Sequence, residues 1–288
     1  MATTTDFIDN TTATAFIPEL WSMLAIVARE DSLVFAQLVD RRFEQNLSFG
    51  DTVHVPSVGN LAARTKALSS NAAITYETIT ETNKDISIAT WEYAAIAVES
   101  IVKIQNNRDQ LKMYGGKLGY ALGLAVDDVL AGLPDDFTNT VGTLAVENTD
   151  DEWLRARQYL NDANAPYDGR AIVIAPAAET GLLKLDRFVN SDYAMIHGNE
   201  SPQTSLERAY VTSWYRTPVY MSVNTEGTNA AGHDNTMFQR DALALVMQEK
   251  PKLYQQFDID YLVDKVAMEQ IYGVLEMRDD HGVWVKGA

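Results

Sequence analysis

Three glycines spaced four apart, Gly115, Gly119 and Gly123, fall inside the most helix-like stretch of this 288-residue chain, Gln105–Leu133. Leu111, Tyr114, Leu118, Leu122, Ala125 and Val129 recur there at steps of three and four, which puts an apolar stripe on one helix face. The glycines stack beside that stripe, where each costs about 1 kcal/mol relative to alanine in a helix interior. Three such losses on one face make sense when another part of the fold packs close against it. The expectation is a long helix laid across something else, and the rest of the chain is read for what that is.

The helix is not a membrane span, because Lys112, Lys117, Asp127 and Asp128 interrupt it well short of the ~20 apolar residues required. The Thr-rich start has its first basic residue at Arg29, so no targeting segment is expected. Cysteine is absent, which excludes disulfides and thiolate metal sites. Twenty-three Lys and Arg against forty Asp and Glu leave a formal charge of −17. Such a surface repels nucleic acid as a whole, and specific DNA binding is not expected.

Residues 1–16 lack periodicity and large apolar groups, and read as a flexible arm. Phe16–Arg29 follows as a helix with Pro18 in its first turn, and Leu33–Val39 adds a second apolar patch. Between Ser48 and Ile101 the period changes to two, with Val53 and Val55, then Ile74, Tyr76 and Thr78, then Ile86 and Ile88, then Trp91 and Tyr93, predicting strands. Pro56–Ala73 is too long for a tight turn and too poor in apolar groups for a core, so it should project from the body. Its section Leu61–Ser70 carries Arg64 and Lys66 and no acid, a positive tip on an acidic protein.

After the long helix, Pro134-Asp135-Asp136 acts as a stop, and Thr138–Asn148 is a polar connection with one or two short strands. Asp151–Ala163 predicts an amphipathic helix, Arg170–Ala175 a buried strand and Pro176–Phe188 a second helix, together an α/β unit. Ser191–Leu206 and Gly227–Asn235 read as loops around strand-like Tyr210–Val223. Met237–Gln248 reads as a strand, and Asp279-Asp280-His281-Gly282 as the turn of a closing hairpin. Trp91, Tyr93, Trp153, Trp214 and Tyr215 do not alternate with Lys or Arg, and core packing explains them better than base stacking.

Motifs for chemistry fail. Gly116-Lys117 is followed by Leu118 inside a helix, so there is no phosphate loop, and no Gly-x-Ser-x-Gly nucleophile turn occurs. His54, His197, His233 and His281 are isolated from one another at helical spacing. No catalytic residue, cofactor site or metal site is assigned. Asp127 and Asp128 are the odd pair: they sit in the C-terminal third of a helix, where the macrodipole favours cations. They read either as two solvated acids or as an acidic dock for a basic element.

Assembled in order, the chain resembles the major capsid proteins of tailed bacteriophages, whose fold is shared with herpesviruses. The resemblance is carried by Phe16-Ile17-Pro18-Glu19-Leu20-Trp21 at the end of the arm, Leu33–Val39 with Arg41-Arg42, and Gly50-Asp51-Thr52-Val53-His54-Val55-Pro56. The central helix follows, then Arg240-Asp241-Ala242-Leu243-Ala244-Leu245 through Tyr272-Gly273-Val274 to the Asp-His-Gly turn. The resemblance implies an α+β capsid fold with an N-terminal arm (1–47) and an extended β-hairpin loop (48–101) that lies over a neighbouring subunit. It further implies a peripheral domain built on a spine helix and a returning sheet (102–136 and 237–288), with an α/β axial domain (137–236) between them.

By the same resemblance the chain is a self-assembling, non-enzymatic major capsid protein, forming pentamers and hexamers of an icosahedral shell around viral double-stranded DNA. It would assemble in the host bacterial cytoplasm and reside in the virion capsid, holding the DNA without specific binding and touching no membrane. No long helical N-terminal extension serves as a fused scaffold, so a separate scaffolding protein is expected, or a segment already removed; a portal and, in some shells, a cement protein complete the partners. Arg64 and Lys66 are expected to dock on acids of a neighbouring subunit, with Asp127 and Asp128 as one candidate. The rivals are an encapsulin-like nanocompartment shell and a soluble enzyme built on the α/β unit at 151–188.

Overall fold

Residue alternation decides how this chain layers. In Arg170–Ile174 every residue is buried, but Ile172 and Ile174 face one core with Trp153, Leu160 and Trp214. Val173 between them faces another with Phe35, Val126, Leu130 and Phe238. Successive side chains of a strand point to opposite sides, so this strand lies in a sheet covered on both faces.

The computed structural model describes residues 33–46, 50–59, 61–66, 71, 73–79, 81–99, 110–185 and 209–288. The expected helix Phe16–Arg29 and loop Ser191–Leu206 lie outside the described residues. The helices are α1 (Phe35–Leu38), α2 (Gln110–Gly132), α3 (Asp150–Asp162) and α4 (Pro176–Leu182). The strands are β1 (Thr52–Val58), β2 (Glu81–Ser87), β3 (Thr90–Glu99), β4 (Thr140–Gly142), β5 (Arg170–Ile174), β6 (Tyr210–Trp214), β7 (Thr217–Met221), β8 (Gly227–Thr228), β9 (Gly232–Gln239), β10 (Leu243–Asp258), β11 (Val263–Glu276) and β12 (Gly282–Gly287).

These strands form three sheets: β1-β2, β10-β11-β3, and a seven-stranded sheet in the order β4-β12-β9-β5-β7-β6 with β8 on β9. On one face of the seven-stranded sheet lie α3 and α4. Helix α3 starts where the Glu152 carboxylate accepts the Thr149 amide at 2.6 Å, a capping contact that contributes about 1 kcal/mol. On the other face lie α1 and the C-terminal half of α2. Strand β10 ties the sheets together: Leu243 and Leu245 enter that second core, while Ala244 and Val246 pack with Ile86 beneath the β1-β2 hairpin. Burying each such large aliphatic side chain contributes roughly 1.5–3 kcal/mol.

The long helix packs on the β3 and β11 side of the three-stranded sheet, but its glycine stripe is not what brings it close to that sheet. A methyl group on Gly119 would lie 3.9 Å from the Met268 sulfur on β11, and one on Gly123 would press on Leu33 at 2.7 Å. Gly115 departs from the expectation, with no atom of the described residues within 4 Å of such a methyl.

Other departures are physical. Ile74, Tyr76 and Thr78 have strand alternation, but no described strand pairs with them and 73–79 stays irregular. Met237–Gln248 is not one strand: a 3-10 turn at Arg240–Ala242 breaks it, and β9 and β10 join different sheets. Gly227–Asn235 supplies β8 and the start of β9 rather than only a loop. Asp279–His281 form a 3-10 turn between β11 and β12, which pair with different strands and so make no hairpin. The segment 237–288, expected as one returning sheet beside the long helix, is shared: β10 and β11 pair there with β3, while β9 and β12 complete the seven-stranded sheet.

Candidate functional site

The four residues singled out from the sequence sit in two places. Arg64 and Lys66 are exposed on the long connection between β1 and β2. The stretch 61–66 runs beside 73–77, the Ala62 amide donating to Glu77 Oε2 at 3.3 Å. A cleft of about 580 Å³ opens between these two legs, lined by Arg64, Lys66, Ile74 and Tyr76 among others. Beside Arg64 and Lys66, the apolar Leu61, Ile74 and Tyr76 are also open, at 61%, 58% and 85% exposure.

Asp127 is fully buried, and this corrects its assignment as part of an outward-facing dock. Its carboxylate accepts the Val34 amide at 3.3 Å, the Ala36 amide at 3.2 Å and the Asn224 side-chain amide at 3.0 Å. Burial pushes the Asp127 carboxyl above the usual range, against the pull of these hydrogen bonds. The acid is a tie between α2, the start of α1 and the 222–225 loop. Asp128, one residue on, points outward and is exposed. Partial desolvation, then the charges of Asp127 and Glu92, raise its carboxyl too.

Glu92, near enough to Asp128 for its charge to raise that carboxyl, carried no signal that singled it out in the sequence. It accepts Gln270 Nε2 at 3.0 Å and the Tyr272 hydroxyl at 3.0 Å. Gln270 also donates to the Leu122 carbonyl at 2.9 Å, which fastens β11 to α2. Burial, and then the bond to Glu92, push the Tyr272 phenol up. The alternation of β3 puts Glu92, Ala94 and Ile96 on one face and Trp91 and Tyr93 on the other. Nothing in the sequence said which face the helix would cover. The structure turns Trp91 and Tyr93 outward at 69% and 75% exposure, which corrects their assignment to the core; Trp153 and Trp214 are fully buried as expected.

Among the described residues the remaining candidates form no catalytic constellation, and His197 lies outside them. His54 Nδ1 meets Asp85 at 2.6 Å on an exposed hairpin, and His233 Nε2 contacts Asn229 at 2.9 Å. Among the described residues no group of three or more His, Cys, Asp or Glu is placed to hold a metal ion. A cleft of about 310 Å³ does open at the start of β5, lined by Tyr167, Arg170, Arg216 and Arg240. The Arg170 guanidinium, however, is spent on the carbonyls of Pro166 and Ala165 and on Asn161 Oδ1, at 2.9, 2.6 and 2.9 Å. It braces the loop before β5.

Exposed apolar groups concentrate instead on the projections. Beyond the β1-β2 connection, the far end of the β10-β11 hairpin carries Phe257, Ile259, Tyr261 and Leu262 at 46%, 76%, 75% and 60% exposure.

No protein-family model matches the chain, and no curated protein matches it. Solved structures do. A chain of Mycobacterium phage Che8 superposes with a TM-score of 0.76 at 23% identity, over 94% of this chain and 97% of that one. A chain from the capsid structure of cyanophage P-SCSP1u gives 0.74 at 15% identity, over 96% and 94%. A chain from the asymmetric unit of the bacteriophage PhiM1 mature capsid gives 0.66 at 14%, over 94% and 90%. The capsid fold expected from the sequence is the observed fold, matched over 94–96% of this chain by structures at 14–23% identity.

Proposed function

We propose that this chain is the major capsid protein of a tailed bacteriophage, a structural subunit whose copies assemble into an icosahedral shell around a double-stranded DNA genome. The observation that carries this reading is the pairing of a capsid fold along nearly the whole chain with two long projections that expose their large apolar groups. A monomer gains nothing from exposing Tyr76 or Tyr261; a subunit that lies across its neighbours buries them. Many weak, repeated contacts then give strong assembly through avidity.

In this reading 1–47 is an arm, 48–101 the extended loop over a neighbour, the long helix with β3, β10 and β11 the peripheral domain, and the seven-stranded sheet the core of the axial domain. A separate scaffolding protein, a portal and, in some shells, a cement protein act with it, and assembly takes place in the host cytoplasm. The net charge of −17 suits a wall that encloses DNA without binding it tightly. The work is structural, and no catalytic role is assigned. A cellular nanocompartment shell is the alternative use of such a fold; the phage origin of the matching structures favours the viral reading.

Negative-stain microscopy of the purified chain tests it. Icosahedral particles, rings of five or six, or tubes are the expected result. A chain that stays monomeric across salt and concentration overturns it.

A further inference from the structure

Two halves of a β-pairing are left open in this chain. The first is the leg Ala73–Ile79, in which Ile74, Tyr76 and Thr78 alternate as in a strand although no described strand pairs with it. The second is β3, ten residues long and at the end of the three-stranded sheet, so that among the described residues its outer edge is unpaired. An unpaired edge of that length presents a row of free amides and carbonyls, which is a template for another strand.

The edge is also shaped for an occupant. A groove of about 310 Å³ runs between β3 and the long helix, with Ala94, Ala121, Leu122 and Ala125 in its lining and Trp91 and Tyr93 at its rim. Small residues on the helix leave room for side chains of an incoming strand. Ala121, Ala125 and Asp128 follow one another along one helix face, so the apolar groove leads to the carboxylates of Asp128 and Glu92. The leg has the matching order of properties, with apolar Ile74 and Tyr76 beside basic Arg64 and Lys66 across the 61–66 stretch.

We propose that the Ala73–Ile79 leg of one copy adds as a strand to the free edge of β3 in a second copy, with Arg64 and Lys66 facing Asp128 of that copy. The proposal rests on the shell reading and names the acceptor surface within it. It retains Asp128 as the accessible acid and leaves Asp127 inside its own subunit.

Strand pairing has a signature that side-chain packing lacks. Only alternate amides of the leg face the partner, so Thr75→Pro, Tyr76→Pro, Glu77→Pro and Thr78→Pro should impair assembly at every second position. The expected loss at the sensitive positions is about tenfold in assembled fraction, the equivalent of ~1.4 kcal/mol, with unchanged circular dichroism. Because the chain has no cysteine, a Tyr76→Cys population mixed with an Ala95→Cys or Tyr93→Cys population reports the contact directly. Mild oxidation should yield a cross-linked dimer, which a Leu183→Cys population should not form. Arg64→Glu with Lys66→Glu should lower assembly, and Asp128→Lys should restore it.

If the unsubstituted chain assembles while the prolines act without alternation and no leg-to-β3 cross-link forms, this pairing is overturned and the shell reading stands. If the unsubstituted chain neither assembles nor cross-links, both fall.

Discussion

The carboxylate of Asp127 accepts a hydrogen bond from the amide of Val34, 93 residues earlier, in the interior of the protein. With Ala36 and Asn224 donating to the same group, one acid serves three segments. Asp127→Ala would orphan all three donors, and each buried unsatisfied group costs about 1–3 kcal/mol. Only the Val34 amide is fully buried, the other two partly so, and a loss of about 1–3 kcal/mol in urea unfolding is expected. Asp127→Asn keeps one acceptor and should lose less. Equal stability of the alanine variant and the parent would mean that the tie is dispensable.

Asp127 and Asp40 should make stability depend on pH in opposite directions. At Asp40 burial works to raise the carboxyl, but Arg42, bound at 2.6 Å, and more distant Arg240 hold it below its ordinary value of 3.8. A lowered carboxyl contributes stability above the unfolded value and loses it as pH falls through the folded one. Asp127 is raised, so its contribution is full below 3.8 and is lost as pH rises through the folded value. Relative to the parent, Asp40→Asn should be most harmful near neutrality and less so as pH falls below ~3.8. Asp127→Asn should be most harmful in acid and recover as pH rises. Urea midpoints taken from about pH 3 to pH 7 would reveal slopes of the same sign if this assignment is mistaken.

The elements with strong periodicity were legible in advance, because periodicity is what burial on one side imposes. The long helix, α3 with Trp153 and Leu160, and β5 were all readable in that way. Choices between faces were not. Trp91 and Tyr93 declare a common face of β3, but only the position of the long helix, on the side of Glu92, turns that face outward. Asp127 and Asp128 look alike in sequence, and a helix rotation of about 100° sends one to the core and the other to the surface. The changes of sheet at Arg240 and Asp279 were hidden for another reason: polar residues interrupt the chain at both points, but nothing in them says that the strands on either side belong to different sheets.

Strand-like Tyr210–Val223 hid a turn as well. Tyr215 and Arg216, with φ of 45° and 71°, join β6 to β7 in the left-handed region that two-residue hairpin turns need and that Asn-Gly normally supplies. Tyr215 is held there by Trp214, ring centroids 5.0 Å apart, and by Arg157 at 4.8 Å from its ring. Among the described residues Arg216 has no comparable ring contact, and the left-handed conformation costs about 1–2 kcal/mol for an L-residue. Arg216→Gly should therefore raise the urea midpoint, by the equivalent of about 1 kcal/mol. A fall in stability would show that the arginine contributes more through its side chain than its backbone costs.

Glycine substitutions should separate close packing from open space. At Gly282 an added methyl would lie 2.2–2.4 Å from the Phe137 ring, while its φ of −125° is ordinary for any residue. The cost of Gly282→Ala is then overpacking alone, typically about 1–3 kcal/mol. Shrinking the ring should relieve it, so Gly282→Ala combined with Phe137→Leu should be less damaging than the sum of the two single changes. Gly115 is the opposite case, a helix-interior glycine with no atom of the described residues within 4 Å of the added methyl. Gly115→Ala should stabilise the isolated chain by about 1 kcal/mol. Both thermal and urea unfolding can read the contrast, and an additive double mutant at Gly282 and Phe137 would show that the ring is not what holds that position to glycine.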